Sequence, residues 1–546
     1  MKFSKSLPLI ALCAAAYVPT AASAAPTIKS YFEFKKPKMI TIPGDISLDT
    51  NGESAPVSNV SSNFTLGFEG ISQYDGASFS RNFIPPDTMG AVGRTQYFET
   101  SNGAYAVFDK YTGQRLSLTS DVAFWAAAGQ TGANGDSRVM YNAAASRWIA
   151  ISFGASVSDI QIAISDTDNA LGSWQSTKFT GFAGGTADYP TLAMDGNAVY
   201  IGTNNFAPSF QGTTLNVIPL DSLFGNGAPS VTGMKQFSTA FPGTFEDRGF
   251  ALQGVNSTSG GTTGKVLAAS LFNYDSLGFT VNNLTSTDES GATLGAVNYL
   301  GQAAFQSPGP GRQPSVGIAA NQRIISTLDE RISSSVYEVN GRIYMVNTVD
   351  DLSDGLDETR VRYTVLDANT FAILDEGNIG DAGYDYYQGS IAVNEFGEVA
   401  IGYNRSGLDP TTGKISFMAQ LFYTGAGGKL LSMGNEMLLK ESLVDDYHNG
   451  STFGNPAAGR QRWGDYSQVS VDPSNAHNFY LIGQFAREYN NAAGGHPGGT
   501  GGSRWGTFIA VLTTPVPEPQ TWAMMVFGFG FMGYAMRRRR YSASFA

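Results

Sequence analysis

The chain has 546 residues with a formal net charge of -12; 15% of residues are charged, 12% are aromatic, and 65 are glycine. An acidic chain without a basic stripe has nothing to neutralise phosphates, which excludes nucleic acid as a partner. The lone cysteine, Cys13, excludes disulfides and thiolate metal sites, and three scattered histidines (His448, His477, His496) argue against a histidine-rich zinc site.

Lys2 and Lys5 precede an apolar run from Leu7 to Val18, and Ala22-Ser23-Ala24 supplies the small-x-small pattern that signal peptidase reads. Residues 1–24 are therefore a predicted signal peptide, cut after Ala24. Leu12 before Cys13 is too large for a typical lipoprotein signal, and removal of the signal leaves a body without cysteine. Residues 25–63 are polar and irregular, a predicted flexible leader with at most one strand.

From Phe64 the pattern changes to short apolar alternations separated by Gly, Asn, Asp and Ser. Examples are Trp148-Ile149-Ala150-Ile151, Ile160-Gln161-Ile162-Ala163-Ile164 and Ile343-Tyr344-Met345-Val346. Period-two runs bounded by turn residues predict strands, and no amphipathic helix of three turns interrupts them. One phrase recurs: an Asp or aromatic opening, a short apolar strand, an Asp/Asn/Gly turn, and a strand ending in aliphatic-Gly. It is clearest from Asp188 to Gly202 and returns from Tyr387 to Gly402 and from Asp465 to Gly483. Looser copies open at Asp87, Asp136, Asp247 and Asp329. Seven openings at intervals close to or longer than a four-stranded blade predict an all-β fold, a single large β-propeller over residues 64–513 with seven blades, six or eight being the alternatives. The last strand, Thr507–Leu512, is placed to pair with Phe64-Thr65-Leu66 and close the ring. Asp136-x-Arg138-Val139-x-Tyr141 with Arg147-Trp148, Asp188-Tyr189-Pro190, and Arg462-Trp463-Gly464-Asp465-Tyr466 carry a resemblance to bacterial exported proteins with sialidase-like or BNR-type propellers.

The openings also gather chemistry. Asp136 with Arg138, Asp247 with Arg248, Asp329 with Arg331, and Arg462 with Asp465 would converge on one mouth of a central channel if the openings are equivalent. Converging arginines hold a carboxylate or sulfate bidentately, and a neighbouring Asp serves as acid or base. The resemblance to sialidases implies Arg138, Arg248, Arg331, Arg462, Asp136, Asp465 and Tyr387 as catalytic candidates. The competing reading is that such pairs tie one blade to the next. The sialidase Asp-box survives only in degraded form from Ser165 to Trp174. The acidic loop with Asp350, Asp351, Asp354 and Asp357 offers oxygen ligands to calcium, against a solvated turn as the alternative. The Gly-rich run from Gly494 to Gly502 lacks the lysine of a phosphate loop and is a predicted flexible loop.

The last segment, residues 514–541, is a sorting tail in layout. Pro517-Glu518-Pro519 and Trp522 precede an apolar run from Ala523 to Met536, then Arg537-Arg538-Arg539-Arg540. The run is short of the roughly 20 residues of a free span, but Trp522 and the arginines can snorkel, so a short transmembrane helix is predicted. The arginines hold their end in the cytoplasm and leave the body outside. This stretch resembles the PEP-CTERM tails of Gram-negative bacteria. The resemblance implies an exosortase-type protease cutting near Pro517-Glu518-Pro519, transient anchoring in the inner membrane, and release to the cell surface or extracellular matrix in cells that make exopolysaccharide. The expected function is a binding or structural module, with exopolysaccharide as a candidate partner; the alternative is a sialidase-like glycan hydrolase.

Overall fold

Alternating segments such as Ile160-Gln161-Ile162-Ala163-Ile164 lie within antiparallel sheets in the computed structural model, which describes residues 40–41, 63–240, 246–314, 323–447, 459–489 and 503–515. The strands pair with their sequence neighbours into meanders. Arg138–Asn142, Arg147–Phe153, Asp159–Ser165 and Trp174–Thr180 form one such four-stranded sheet, in that order. Seven meanders follow one another among the described residues. Their innermost strands are Met89–Val92, Arg138–Asn142, Ala193–Met194 with Thr186–Asp188, Phe250–Asn256, Val336–Val339, Tyr384–Val393 and Gln468–Val471.

The ring closes through sequence-distant pairing. Phe64–Ser72 runs antiparallel to Ser503–Thr513, with Leu66 opposite Val511 and Phe68 opposite Ile509. The start of the body thus supplies the outer strand of the last blade, and neither strand is left with a bare edge there. Around the ring Met89–Val92 neighbours Arg138–Asn142 on one side and Gln468–Val471 on the other. The fourth and fifth blades meet by a parallel pair, Val255 with Val336.

Each blade is apolar on both faces because both faces are covered. One hydrophobic cluster fills each junction between neighbouring blades: Ala91, Phe98 and Trp148 between the first and second, and Ile151, Leu192 and Ile201 between the second and third. At the closure, Phe68, Tyr97, Ile482 and Ile509 pack together. A further cluster, with Met89, Tyr189, Phe250 and Tyr466, draws from four different blades and so lies at the axis.

Local sequence explains the turns. Asn340 and Gly341 both have left-handed φ, 52° and 72°, as a two-residue hairpin between Val336–Val339 and Arg342–Asp351 requires. The turns that follow inner strands touch one another around one end of the ring: Asn340 Nδ2 donates to Glu395 O (2.9 Å), and Asn394 Nδ2 donates to Ala476 O (2.8 Å). We call this end the turn face. The starts of the inner strands come together at the other end, which we call the opening face.

The expected openings fall there. Asp87, Asp136, Asp247 and Asp465 stand two or three residues before their inner strands, and Asp329 stands seven before. Tyr387 differs by lying inside its strand, Tyr384–Val393, beside an irregularity between Tyr387 and Ser390. Of the leader, Ile40–Thr41 pairs with Phe83–Ile84. The sorting tail beyond Pro515, and with it the expected transmembrane helix, lies outside the described residues, as do the signal peptide and the Gly-rich run. Among the described residues no helix is long and apolar enough to cross a membrane.

Candidate site at the opening face

Non-glycine residues adopt left-handed backbone at the openings of five blades: Asp87 (φ 49°), Asp136 (54°), Tyr189 (53°), Ala251 (53°) and Gln388 (52°). For residues other than Asn, Asp and Gly this conformation costs energy, and its recurrence means that surrounding contacts enforce it. Those contacts are polar, and most run between blades. The Asp465 N–H donates to Asp87 Oδ1 (2.9 Å), and Asn102 Nδ2 donates to Asp87 Oδ2 (2.8 Å). Asn102 Oδ1 in turn accepts from the Asp136 N–H (3.0 Å), and the Tyr466 hydroxyl donates to Asp136 Oδ2 (2.9 Å). The Tyr189 hydroxyl reaches Asp465 O at 3.2 Å. Gln388 Nε2 donates to Gly464 O. The first, second, third, sixth and seventh blades are thereby laced at one level.

Arginines complete this centre. Arg462 Nη2 donates to both carboxylate oxygens of Asp465 (2.6 and 2.7 Å). Arg331 makes a two-bond pair with Asp329 (2.6 and 2.7 Å), and its guanidinium lies 4.3 Å from the Tyr189 ring centre and 4.8 Å from that of Phe250. Arg138 is different. It is 1% exposed, stacks 4.2 Å from the Tyr466 ring centre, and hydrogen-bonds only through Nε, to Pro190 O (3.0 Å); Nη1 and Nη2 have no hydrogen-bond partner among the described residues. Buried Thr88 Oγ1, Gln388 Oε1 and Gln468 Oε1 are likewise without one.

Burial governs the charge state of this centre. Burial, with Asp188 and Asp465 adding repulsion, pushes Asp136 up to about 8. Asp188 rises to about 7 through burial, against the pull of Arg331. Burial and then the charges of Asp465 and Asp136 hold Asp87 well above the usual carboxylate range. A neutral carboxyl donates as well as accepts, so near neutral pH these groups act as two-way hydrogen-bonding elements.

The structure brings Asp136, Arg138, Arg331, Arg462 and Asp465 together. Arg248 instead bonds within its own blade, to Glu246 (2.5 Å) and Gly295 O (2.8 Å). Tyr387 is buried in the closure core, where its hydroxyl donates to Ser406 Oγ at 3.0 Å. Sequence reasoning left out Asp87, Asp188, Tyr189 and Tyr466 as site residues. All four lie in the recurring opening phrase, which was the available signal.

In the acidic loop, Asp350 accepts from Gln306 Nε2 (2.5 Å), Asp351 from Asn378 Nδ2 (2.5 Å), and Asp354 pairs with Arg360 (3.0 Å). Among the described residues no three His, Cys, Asp or Glu side chains are grouped to hold a metal ion.

The family described as the PEP-CTERM protein-sorting motif matches residues 515–540. No curated protein matches the chain. Similar solved structures include a subtype N11 neuraminidase-like protein of A/flat-faced bat/Peru/033/2010 (H18N11), 10% identical over 85% of this chain and 99% of that one, with a TM-score of 0.33. A thermostable family-43 glycoside hydrolase is 12% identical over 70% and 95% of the two chains (TM-score 0.29), and the Dos1 propeller 8% identical over 78% and 92% (TM-score 0.35). The chain ends in a PEP-CTERM sorting motif, which implies export and exosortase processing at a membrane, and its body is an all-β propeller.

Proposed function

We propose that this exported protein serves as a binding or structural module of the cell surface or extracellular matrix, with exopolysaccharide as its ligand class, after transient anchoring in the inner membrane. One observation carries this reading above the others: most of the charged groups at the openings are spent on protein partners, within an opening or across to the next blade. Asp87, Asp188 and Asp465 are buried, Asp136 is half-buried and accepts from Tyr466 of the last blade, and Arg331 and Arg462 are each held by a carboxylate of their own opening. A glycosidase needs two carboxyl groups that flank a bound sugar in an accessible cleft. Retention of the purified protein on the producing cell's own exopolysaccharide is the expected result; passage of all protein through that matrix, and through a panel of neutral and acidic glycans, overturns the reading.

A sialidase-like hydrolase is the second reading, favoured by one group, the Arg138 guanidinium with two free nitrogens. Release of fluorophore from aryl sialosides, lost in Arg138→Lys, would establish it. The expected outcome is no release.

A further inference from the structure

The chain leaves the ring at a fixed point. Thr514, fully buried, donates its hydroxyl to Glu398 Oε2 (2.6 Å) and its N–H to His477 O (2.9 Å). His477 Nδ1 lies 2.9 Å from the same carboxylate oxygen, which also accepts from Asn394 Nδ2 (2.6 Å). Glu398 and Asn394 border the turn of the sixth blade, and His477 belongs to the turn of the seventh. The exit is therefore pinned to the turn face, opposite the openings.

Two exposed aromatic residues flank this exit. Phe396, 50% exposed, stacks flat on His477 at 4.6 Å. Tyr111, 64% exposed, donates its hydroxyl to Arg94 O (3.2 Å), the carbonyl that also accepts from Ser474 Oγ in the His477 turn (3.2 Å). Aromatic side chains with one apolar side and a wet neighbour favour the headgroup zone of a bilayer.

Length fixes the rest. From Thr514 to Trp522, where the apolar run begins, the chain spans eight residues, so the stem reaches about 29 Å at full extension. The ten-residue strand Glu398–Gly407 connects the turn face to the opening face, nine steps or roughly 30 Å, and a stem passing over the rim of the ring needs lateral reach besides. A stem that short cannot carry the opening face round to the membrane. We propose that the turn face around Thr514, with Phe396 and Tyr111, is the surface that rests on the phospholipid bilayer while the tail is inserted, and that the opening face points away from it. This rests on the sorting-tail reading. It leaves the laced centre on the outward side and confines the processing protease to motif residues directly beneath the ring.

With Cys13 replaced by serine, single cysteines at exposed positions of the sixth blade report the orientation. Glu395→Cys marks the turn face and Leu408→Cys the opening face. The full-length chain, fluorophore-labelled and inserted into phosphatidylethanolamine/phosphatidylglycerol vesicles carrying nitroxide headgroups, should lose most of its emission at Glu395→Cys and little at Leu408→Cys. A Gly/Ser spacer of about twenty residues after Pro515, with a root-mean-square reach of roughly 25 Å, should erase that contrast. Flotation with equal quenching at both positions, or a contrast that survives the spacer, overturns the orientation alone. Failure to float with the vesicles overturns the membrane reading of the tail and this orientation with it.

Discussion

At the residue scale, the desolvated acids of the opening face make stability depend on pH in an unusual direction. Asp136 is raised to about 8 and Asp188 to about 7, mainly by burial. The folded chain therefore keeps protons that the unfolded chain releases near pH 4. Stability from these groups is present below that value and declines as pH rises through about 7 to 8. The melting temperature should fall between about pH 5.5 and 8.5, and Asp136→Asn should flatten the profile by on the order of 1 kcal/mol. Calorimetry across that range, with an unchanged slope in the variant, would count against the assignment. Arg462 acts through the same group of charges. Its removal strands Asp465 in the interior, so Arg462→Met should cost about 3–5 kcal/mol in urea unfolding, and Arg462→Met with Asp465→Leu should recover part of that loss. A single and a double variant of equal stability would show that the pair is not coupled.

At the element scale, the closing strand is the vulnerable part, because its partner lies more than four hundred residues away in sequence and its pairing carries the full entropic cost of a long loop. Phe68 anchors it, 3% exposed and 5.3 Å from Phe108. Phe68→Ala should cost about 3–5 kcal/mol by opening a cavity in the closure core. Glu99 holds the same strand from the neighbouring blade: it accepts from the Ile71 N–H (3.0 and 3.2 Å) and from the Thr507 hydroxyl (2.6 Å). Burial raises it to about 8 despite those donors. Hydrogen exchange should show the Phe64–Ser72 amides opening first in Glu99→Ala, ahead of the second and third blades; uniform opening would contradict a separate clamp. Asn340-Gly341 supplies the two left-handed residues that its hairpin needs, a signal left unused at the sequence level. Tyr387 misled because an aromatic beside an opening reads the same whether it faces the axis or the core, and the irregularity between Tyr387 and Ser390 decides which.

At the scale of the whole molecule, the ring places the blade openings and the chain exit at Thr514 on opposite faces. Replacing Trp522 and the four arginines from Arg537 to Arg540 should leave the chain unprocessed or mislocalised in the producing cell, detected as a larger band in the membrane fraction; unchanged processing would refute the sorting role of those residues. The local text of this protein determined its strands, its turns and the sorting motif. Each depends on periodicity or on a short contiguous pattern, which neighbouring residues alone dictate. Only the tertiary structure decided which opening groups meet. Asp87, Asp136, Tyr189, Arg331 and Asp465 are far apart in the chain, and whether their charges are paired, neutral or free depends on burial and on distances of a few ångströms across blades. The same holds for the exit: nothing in Thr514 itself shows that Glu398 and His477 hold it, or that it leaves from the face opposite the openings.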